Sequence, residues 1–280
     1  MKRFLVLSLL AFLAACTTPS VEPPASFDVV LHGGTVYDGT GAPPRTADVG
    51  LRGDRVVQVG DLSRAEAKSR IDVTGLAVAP GFINVLSWAN ESLIADGRSQ
   101  SDLRQGVTLE IFGEGWSMGP VNETMKAEAL RQQSEVKYPI EWTTLDGYLR
   151  WLEARGIATN VASLVGATTV RIHELGYTNR APTPEELERM KGLVRRAMED
   201  GALGIGSSLI YVPASFSTTE ELIELCKVAA EYEGIYLTHM RSEGGRFLEA
   251  VNETVRIARE AGIRAEIYHL KLYGDRKSVV

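Results

Sequence analysis

Between residues 27 and 79, apolar and polar side chains alternate in short runs broken by glycine and aspartate. Asp28-Val29-Val30-Leu31-His32 leads into Gly33-Gly34 and then Thr35-Val36-Tyr37-Asp38. Ala47-Asp48-Val49-Gly50-Leu51 is followed by the turn Arg52-Gly53-Asp54-Arg55 and by Val56-Val57-Gln58-Val59. A period of two between Gly and Asp turns predicts antiparallel strands with one face buried. A stretch of roughly fifty residues is small for an independent core, so it is expected to lean on something else.

After Pro80-Gly81 the rhythm changes. Phe82–Leu86 is a short apolar run, and a polar, helix-compatible stretch through Asp102-Leu103-Arg104-Gln105 ends at Gly106. Strands are then predicted at 107–112, 160–165, 203–209, 235–238 and 265–269, with helices over 183–200, 218–232 and 246–261 between the later ones. Thr183-Pro184-Glu185-Glu186 offers a cap, an N1 proline and early acids, and Thr218-Thr219-Glu220-Glu221 is similar. Gly201, Gly234 and Gly262 fall where helices should stop. Repeated strand–helix units with buried strands predict a parallel sheet. Met118–Trp151 is longer than such a connection needs and is expected to place extra helices over the active-site end. The count is six parallel strands, against eight in a closed (β/α)8 barrel.

Composition adds little for the body of the chain and much for its start. A net charge of -6 with no basic stripe argues against a nucleic-acid binder. There are two cysteines, too few for a disulfide framework. Cys226 lies in an amphipathic helical pattern and reads as a small buried apolar side chain. Cys16 follows a basic Lys2-Arg3, an apolar Phe4–Phe12 and Leu13-Ala14-Ala15, which resembles a bacterial lipoprotein signal. That resemblance implies cleavage before Cys16, lipidation of Cys16, and export to the periplasmic face of the outer membrane, since Thr17 rather than Asp follows. Residues 1–16 are thus the expected signal and lipobox cysteine, and the Thr-, Pro- and Ser-rich residues 17–26 a tether.

The residues best placed for chemistry are His239, in Thr238-His239-Met240-Arg241-Ser242-Glu243, and His269, in Tyr268-His269-Leu270-Lys271. Each ends a predicted strand, and the spacing matches one strand–helix–strand unit of roughly 30 residues. Neighbouring parallel strands present their C-terminal ends to one mouth, so the two imidazoles are expected to meet. From spacing alone two readings stand: a shared cation, for which zinc suits imidazole nitrogen, or two satisfied histidines on loops. His32 reads as structural, and His173 as a residue that follows the third strand, where it either lines the pocket or is structural.

Gly201-Ala202-Leu203-Gly204-Ile205-Gly206, Tyr211-Val212-Pro213, Thr238-His239-Met240-Arg241-Ser242-Glu243-Gly244 and His269-Leu270-Lys271 together resemble the D-aminoacylase branch of the amidohydrolase superfamily. Gly33-Gly34-Thr35-Val36-Tyr37-Asp38-Gly39 and Val78-Ala79-Pro80-Gly81-Phe82-Ile83-Asn84 resemble that superfamily's small sheet domain and entry into its barrel. The resemblance implies an α/β fold: a small antiparallel β-sandwich at 27–79, then an incomplete TIM-type (β/α)8 barrel at 80–274. It implies His239 and His269 as zinc ligands and Lys271 and Tyr211 as holders of the substrate carboxylate, Tyr211 otherwise being a core aromatic. Arg241 and Glu243 are expected to brace one another or their loop. The implied activity is hydrolysis of carbon–nitrogen bonds in small N-acyl-amino acids by zinc-activated water. Alternatives are a cyclic-amide hydrolase or dipeptidase of the same superfamily, or a non-catalytic lipoprotein scaffold.

Two positions depart from the family pattern. Leu86 and Trp88 stand where most relatives have His-x-His, so one zinc ion rather than two is expected. Glu114, in Gly113-Glu114-Gly115-Trp116, stands near a metal-binding Cys of relatives and is the third expected ligand. The family's general base, an Asp ending the eighth strand, would lie beyond residue 280. Asp275-Arg276-Lys277-Ser278-Val279-Val280 is what GATCGGAAGAGCGTCGTG encodes, the start of a common sequencing adapter, so residues 275–280 are expected to be a non-native tail. A barrel so cut is expected to be poorly stable and inactive by itself.

Overall fold

The computed structural model describes residues 26–273. The expected signal and lipobox cysteine, Cys16, and the expected non-native tail at 275–280 lie outside the described residues. The chain divides into two compact units at Pro80/Gly81.

In the first unit, strands β1 (Phe27–Val36), β2 (Arg45–Arg52), β3 (Arg55–Gly60), β4 (Ala67–Asp72) and β5 (Ala77–Val78) form one sheet in the order β3-β2-β1-β4, with β5 also pairing β1. The β1–β2 and β2–β3 pairs are antiparallel, as the alternation and the Gly53-Asp54 turn predict. β4 and β5 run parallel to β1. The sheet is therefore mixed, and the described residues make one sheet where an antiparallel sandwich was expected. The reason is the segment after β3, which carries the chain to the far edge of β1. It delivers Leu62 onto Phe27 and Val30, which together form the buried cluster of this unit. A crossover side chain thus covers the apolar face that a second sheet would otherwise cover. Asp48 is buried beneath it, accepting from Gly33 N, Leu62 N and His32 Nδ1 at 2.9 to 3.0 Å.

The second unit is an arc of parallel strands. β6 (Phe82–Asn84), β7 (Val107–Phe112) and β8 (Asn160–Ser163) form one sheet; β9 (Val165–Gly166), β10 (Gly204–Ser208), β11 (Ile235–His239) and β12 (Arg264–Ile267) form another. β8 and β9 are consecutive, separated by Leu164 alone. One extended segment therefore pairs with β7 through its first half and with β10 through its second. Neighbours in space are neighbours in sequence across the whole arc, as strand–helix repeats require.

Helices α1 (Ser92–Ala95), α2 (Gln100–Leu103), α3 (Glu123–Gln132), α4 (Leu145–Arg155), α5 (Ala167–Leu175), α6 (Pro184–Glu199), α7 (Thr219–Ala230) and α8 (Phe247–Ala261) complete it. The punctuation works as read. Thr183 and Glu186 form a reciprocal capping box on α6, and Thr218 accepts from Glu221 N at the start of α7. Gly262 ends α8 at φ +67°. After α7, however, Glu233 takes the left-handed conformation at φ 58°, not Gly234. Gly234 is needed for closeness instead: a Cβ there would meet Ala229 O at 2.9 Å. The apolar stripes of α6 and α7 pack with β9 to β11 in the main core, where Leu222, Leu225, Cys226, Ile205 and Tyr236 are fully buried. Burial pushes the Cys226 thiol well above its ordinary range, so it is inert packing. No helix among the described residues is long and apolar enough to cross a membrane.

Candidate metal centre

Glu114 follows β7 in a turn held from several sides. Gly113 and Gly115 on either side have φ of +103° and +80°, a region that favours glycine. A side chain at Gly113 would strike the backbone of Leu164, and one at Gly115 the hydroxyl of Ser208. Ser208 Oγ donates to Glu114 O at 2.6 Å, and Thr168 N to Gly115 O at 3.0 Å. The carboxylate is therefore aimed by backbone geometry, and it is 7% exposed.

His239 is the last residue of β11, in register with Ser208. His269 lies two residues past β12, but pairing persists to Tyr268, whose N donates to Thr238 O at 3.1 Å. The two rings meet edge to face, centroids 4.4 Å apart and planes at 87°. Glu114 Oε1 faces both, 3.1 Å from His239 Nδ1 and 3.6 Å from His269 Nε2. One ligand atom from each of Glu114, His239 and His269 falls within 4.8 Å of the other two. A hard carboxylate oxygen with two imidazole nitrogens is a donor set that suits a divalent cation such as zinc. His239 adds a second indication. Its Nε2 is buried with no hydrogen-bond partner, so hydrogen bonding alone does not account for the ring.

A second carboxylate lies across the rings. Glu243 Oε1 is 3.0 Å from His269 Nδ1, 3.4 Å from His239 Nε2 and 2.7 Å from Lys271 Nζ. Burial raises the Glu243 pKa, but the hydrogen bond and positive charge of Lys271, with the adjacent imidazoles, outweigh it and hold the group below its ordinary value. The expected bracing of Arg241 against Glu243 does not occur. Arg241 makes a forked pair with Glu253 at 2.9 Å and donates to Ser215 O and Ser217 O, fixing the loop on its own account. Lys271, half exposed, spends its ammonium on Glu243.

Trp88 also takes part, donating from Nε1 to Glu114 Oε2 at 3.0 Å. Tyr211 stands edge-on to His239, with centroids 5.2 Å apart, and is 56% exposed rather than a core aromatic. Glu114, Trp88 and Tyr211 share the wall of a cavity of about 740 Å³ whose other side is Met118, Met125 and Trp142 from the long 118–151 segment. The histidines and Lys271 are not in that wall. His173 is held by Glu174 at 3.0 Å on α5 and does not line the cavity, and His32 is taken up by Asp48. Trp88 stands at a position read as a lost metal ligand and Glu243 at one read as a loop brace, and the sequence pointed to no contact of either with Glu114 or the imidazoles. Their contacts form only when the loops after β6, β7, β11 and β12 converge.

No protein-family model matches the chain. A D-aminoacylase of Alcaligenes xylosoxydans xylosoxydans is 39% identical over 253 residues, 89% of this chain and 51% of that protein. A solved D-aminoacylase, described as having a binuclear metal centre with one-metal activation and second-metal attenuation, superposes with a TM-score of 0.81 at 38% identity, covering 89% of this chain and 52% of that one. The chain belongs to the D-aminoacylase branch of the amidohydrolases. An N-acyl-D-glutamate deacylase from Bordetella bronchiseptica, solved with zinc and a phosphonate inhibitor, gives a TM-score of 0.77 at 31% identity, over 86% of this chain and 51% of that one. The chain spans about half the length of the curated relatives it matches.

Proposed function

We propose that the whole protein hydrolyses the amide bond of small N-acyl-amino acids, as the relatives' names indicate for them, using a single zinc ion. The observation that supports this most is the convergence of Glu114 Oε1, His239 Nδ1 and His269 Nε2 at the C-terminal ends of parallel strands. These three atoms would hold the ion. When bound it supplies a Lewis acid for the amide carbonyl and lowers the pKa of water. A count of one is supported by Leu86 and Trp88: neither side chain ligates zinc, and the Trp88 indole already occupies Glu114 Oε2.

The chain's own groups then sort by task. Tyr211, beside His239 and exposed to the cavity, is placed to orient a substrate through its hydroxyl. Lys271 lies outside the cavity wall but beside His269 and Glu243, and its ammonium suits a substrate carboxylate once it exchanges Glu243 for that anion. The cavity lined by Met118, Met125 and Trp142 offers apolar contact to an acyl group and excludes water from it. The arc represents six strands of a barrel whose remainder, with the general-base Asp, would come from further chain. Cys16 would anchor the protein by lipid on the periplasmic face of the outer membrane.

The test is turnover of a panel of N-acyl-D- and L-amino acids by the full-length protein, with and without stoichiometric zinc after chelation. Zinc-restored hydrolysis is expected. Zinc binding without turnover of any acyl-amino acid would favour a cyclic-amide substrate. Neither binding nor turnover would favour the scaffold.

A further inference from the structure

We propose that the acyl group of the substrate is uncharged, apolar and considerably larger than acetyl, and that the cavity beside the ligand cluster selects it. The inference rests on the deacylase reading above. An N-acyl-amino acid has two arms that meet at the scissile amide. The nitrogen carries the amino acid with its carboxylate, and the carbonyl carbon carries the acyl group. Glu114 belongs both to the ligand cluster and to the cavity wall, whereas His269 and Lys271 lie outside that wall. With the carboxylate arm at Lys271, the acyl arm is left to pass Glu114 into the cavity. The volume of about 740 Å³ is in the range that encloses a drug-sized molecule, far more than the methyl of an acetyl group fills.

The lining decides the chemistry of that arm. Met118, Val121, Met125, Ile140, Trp142 and Ile172 supply apolar surface. Tyr138 and Trp142 are buried and stack at an interplanar angle of 8°, which makes one part of the wall rigid. The thioethers of Met118 and Met125 adapt to different shapes. The polar atoms of the two aromatic residues are already used: Trp142 Nε1 donates to Met118 O at 2.6 Å, and Tyr138 Oη to Glu91 Oε1 at 2.7 Å. Lys126 is the one cationic side chain among the described residues of the wall, and its Nζ pairs with Glu123 Oε1 at 3.0 Å. Glu91 and Glu128 add carboxylates to the same wall. An acyl chain ending in a carboxylate would meet them with Lys126 already paired, and burying a charge without a partner is costly.

The experiment measures kcat/KM of the zinc-loaded full-length protein on one amino acid carrying acetyl, butanoyl, pentanoyl, hexanoyl or succinyl groups. Each added methylene should raise kcat/KM by about fourfold from acetyl to hexanoyl. Pentanoyl and succinyl are similar in length, and pentanoyl should be favoured by about tenfold or more. Acetyl as the best substrate, or succinyl equal to pentanoyl, overturns the proposal and leaves the deacylase reading standing. Turnover of none of the series overturns both. Met125→Lys adds an ammonium from α3, a helix with no buried residue, and should raise the succinyl-to-pentanoyl ratio by about tenfold or more. Met125→Leu should keep the order of the wild type. Because both substrates are read on one protein, a loss of folded material cancels from the ratio. An unchanged ratio in M125K puts the acyl group elsewhere and overturns the proposal.

Discussion

Two buried polar clusters in the second unit are built to opposite rules. At one, Arg171 is fully buried and bonds Glu221 through Nη1 at 2.6 Å, while Nη2 reaches Thr178 O and Arg180 O. Ser217 Oγ donates to the other Glu221 oxygen at 3.0 Å, and only Arg171 Nε goes without a partner. At the other, Glu114 Oε1 is shared by two histidines, and one ring nitrogen has no hydrogen bond at all. The first cluster answers its own charges and ties α5 to α7. The second converges ligand atoms and leaves them incompletely satisfied. Each leaves one buried nitrogen unpaired, so what separates them is charge: the first holds its own cation against its carboxylate, whereas Glu114 and the two imidazoles converge beside a cavity with no cation among them, an arrangement that suits a bound one.

That contrast can be broken most forcefully at the closed cluster. Arg171→Met leaves Glu221 buried and unpaired, and should lower unfolding free energy by about 3 to 5 kcal/mol, read by chemical denaturation. Arg171→Met combined with Glu221→Leu should recover most of that loss, because neither charge remains. At the open cluster Trp88→Phe removes one N–H from a half-exposed position. It should cost about 1 kcal/mol of orientation at Glu114, roughly a fivefold weakening of zinc in calorimetric titration, with little change in melting. The smallest effect belongs to the first unit, where Asp48 is closed like Arg171–Glu221 but bears only one charge. Burial raises its pKa, yet the bonds from Gly33 N, Leu62 N and His32 outweigh this and hold it below the ordinary 3.8. Its stabilising contribution is therefore complete above that value and is lost as pH falls below it. Amide exchange at Gly33 and Leu62 should accelerate in that acid range, and Asp48→Asn should remove the pH dependence.

What the sequence disclosed follows from locality. The caps at Thr183 and Thr218, the helix stop at Gly262 and the strand–helix alternation are set by residues three or four apart, so they were readable. The meeting of His239 and His269 was readable too, because adjacent parallel strands convert a spacing into a position. Alternation around Val30 and Val49 told which face is buried but not which way a neighbour runs, so the parallel pairing of β4 and β5 was missed. Arg171 and Glu221 are 50 residues apart, and no periodicity connects them. Trp88 looked like a lost ligand position; only the fold shows its indole on Glu114. Glu243 sits four residues after His239, which suggested loop bracing, yet the loop curls so that the carboxylate turns back on both rings.

The glycines around Glu114 have a consequence for how such a site is able to diverge. Gly113 and Gly115 fix the path of the main chain through conformations and clearances that no other residue satisfies, and Ser208 clamps the carbonyl between them. The loop is thus a socket whose shape is indifferent to what is plugged into its centre. One codon there exchanges an oxygen donor for a sulfur donor, hard for soft, while the surrounding architecture stays where it is.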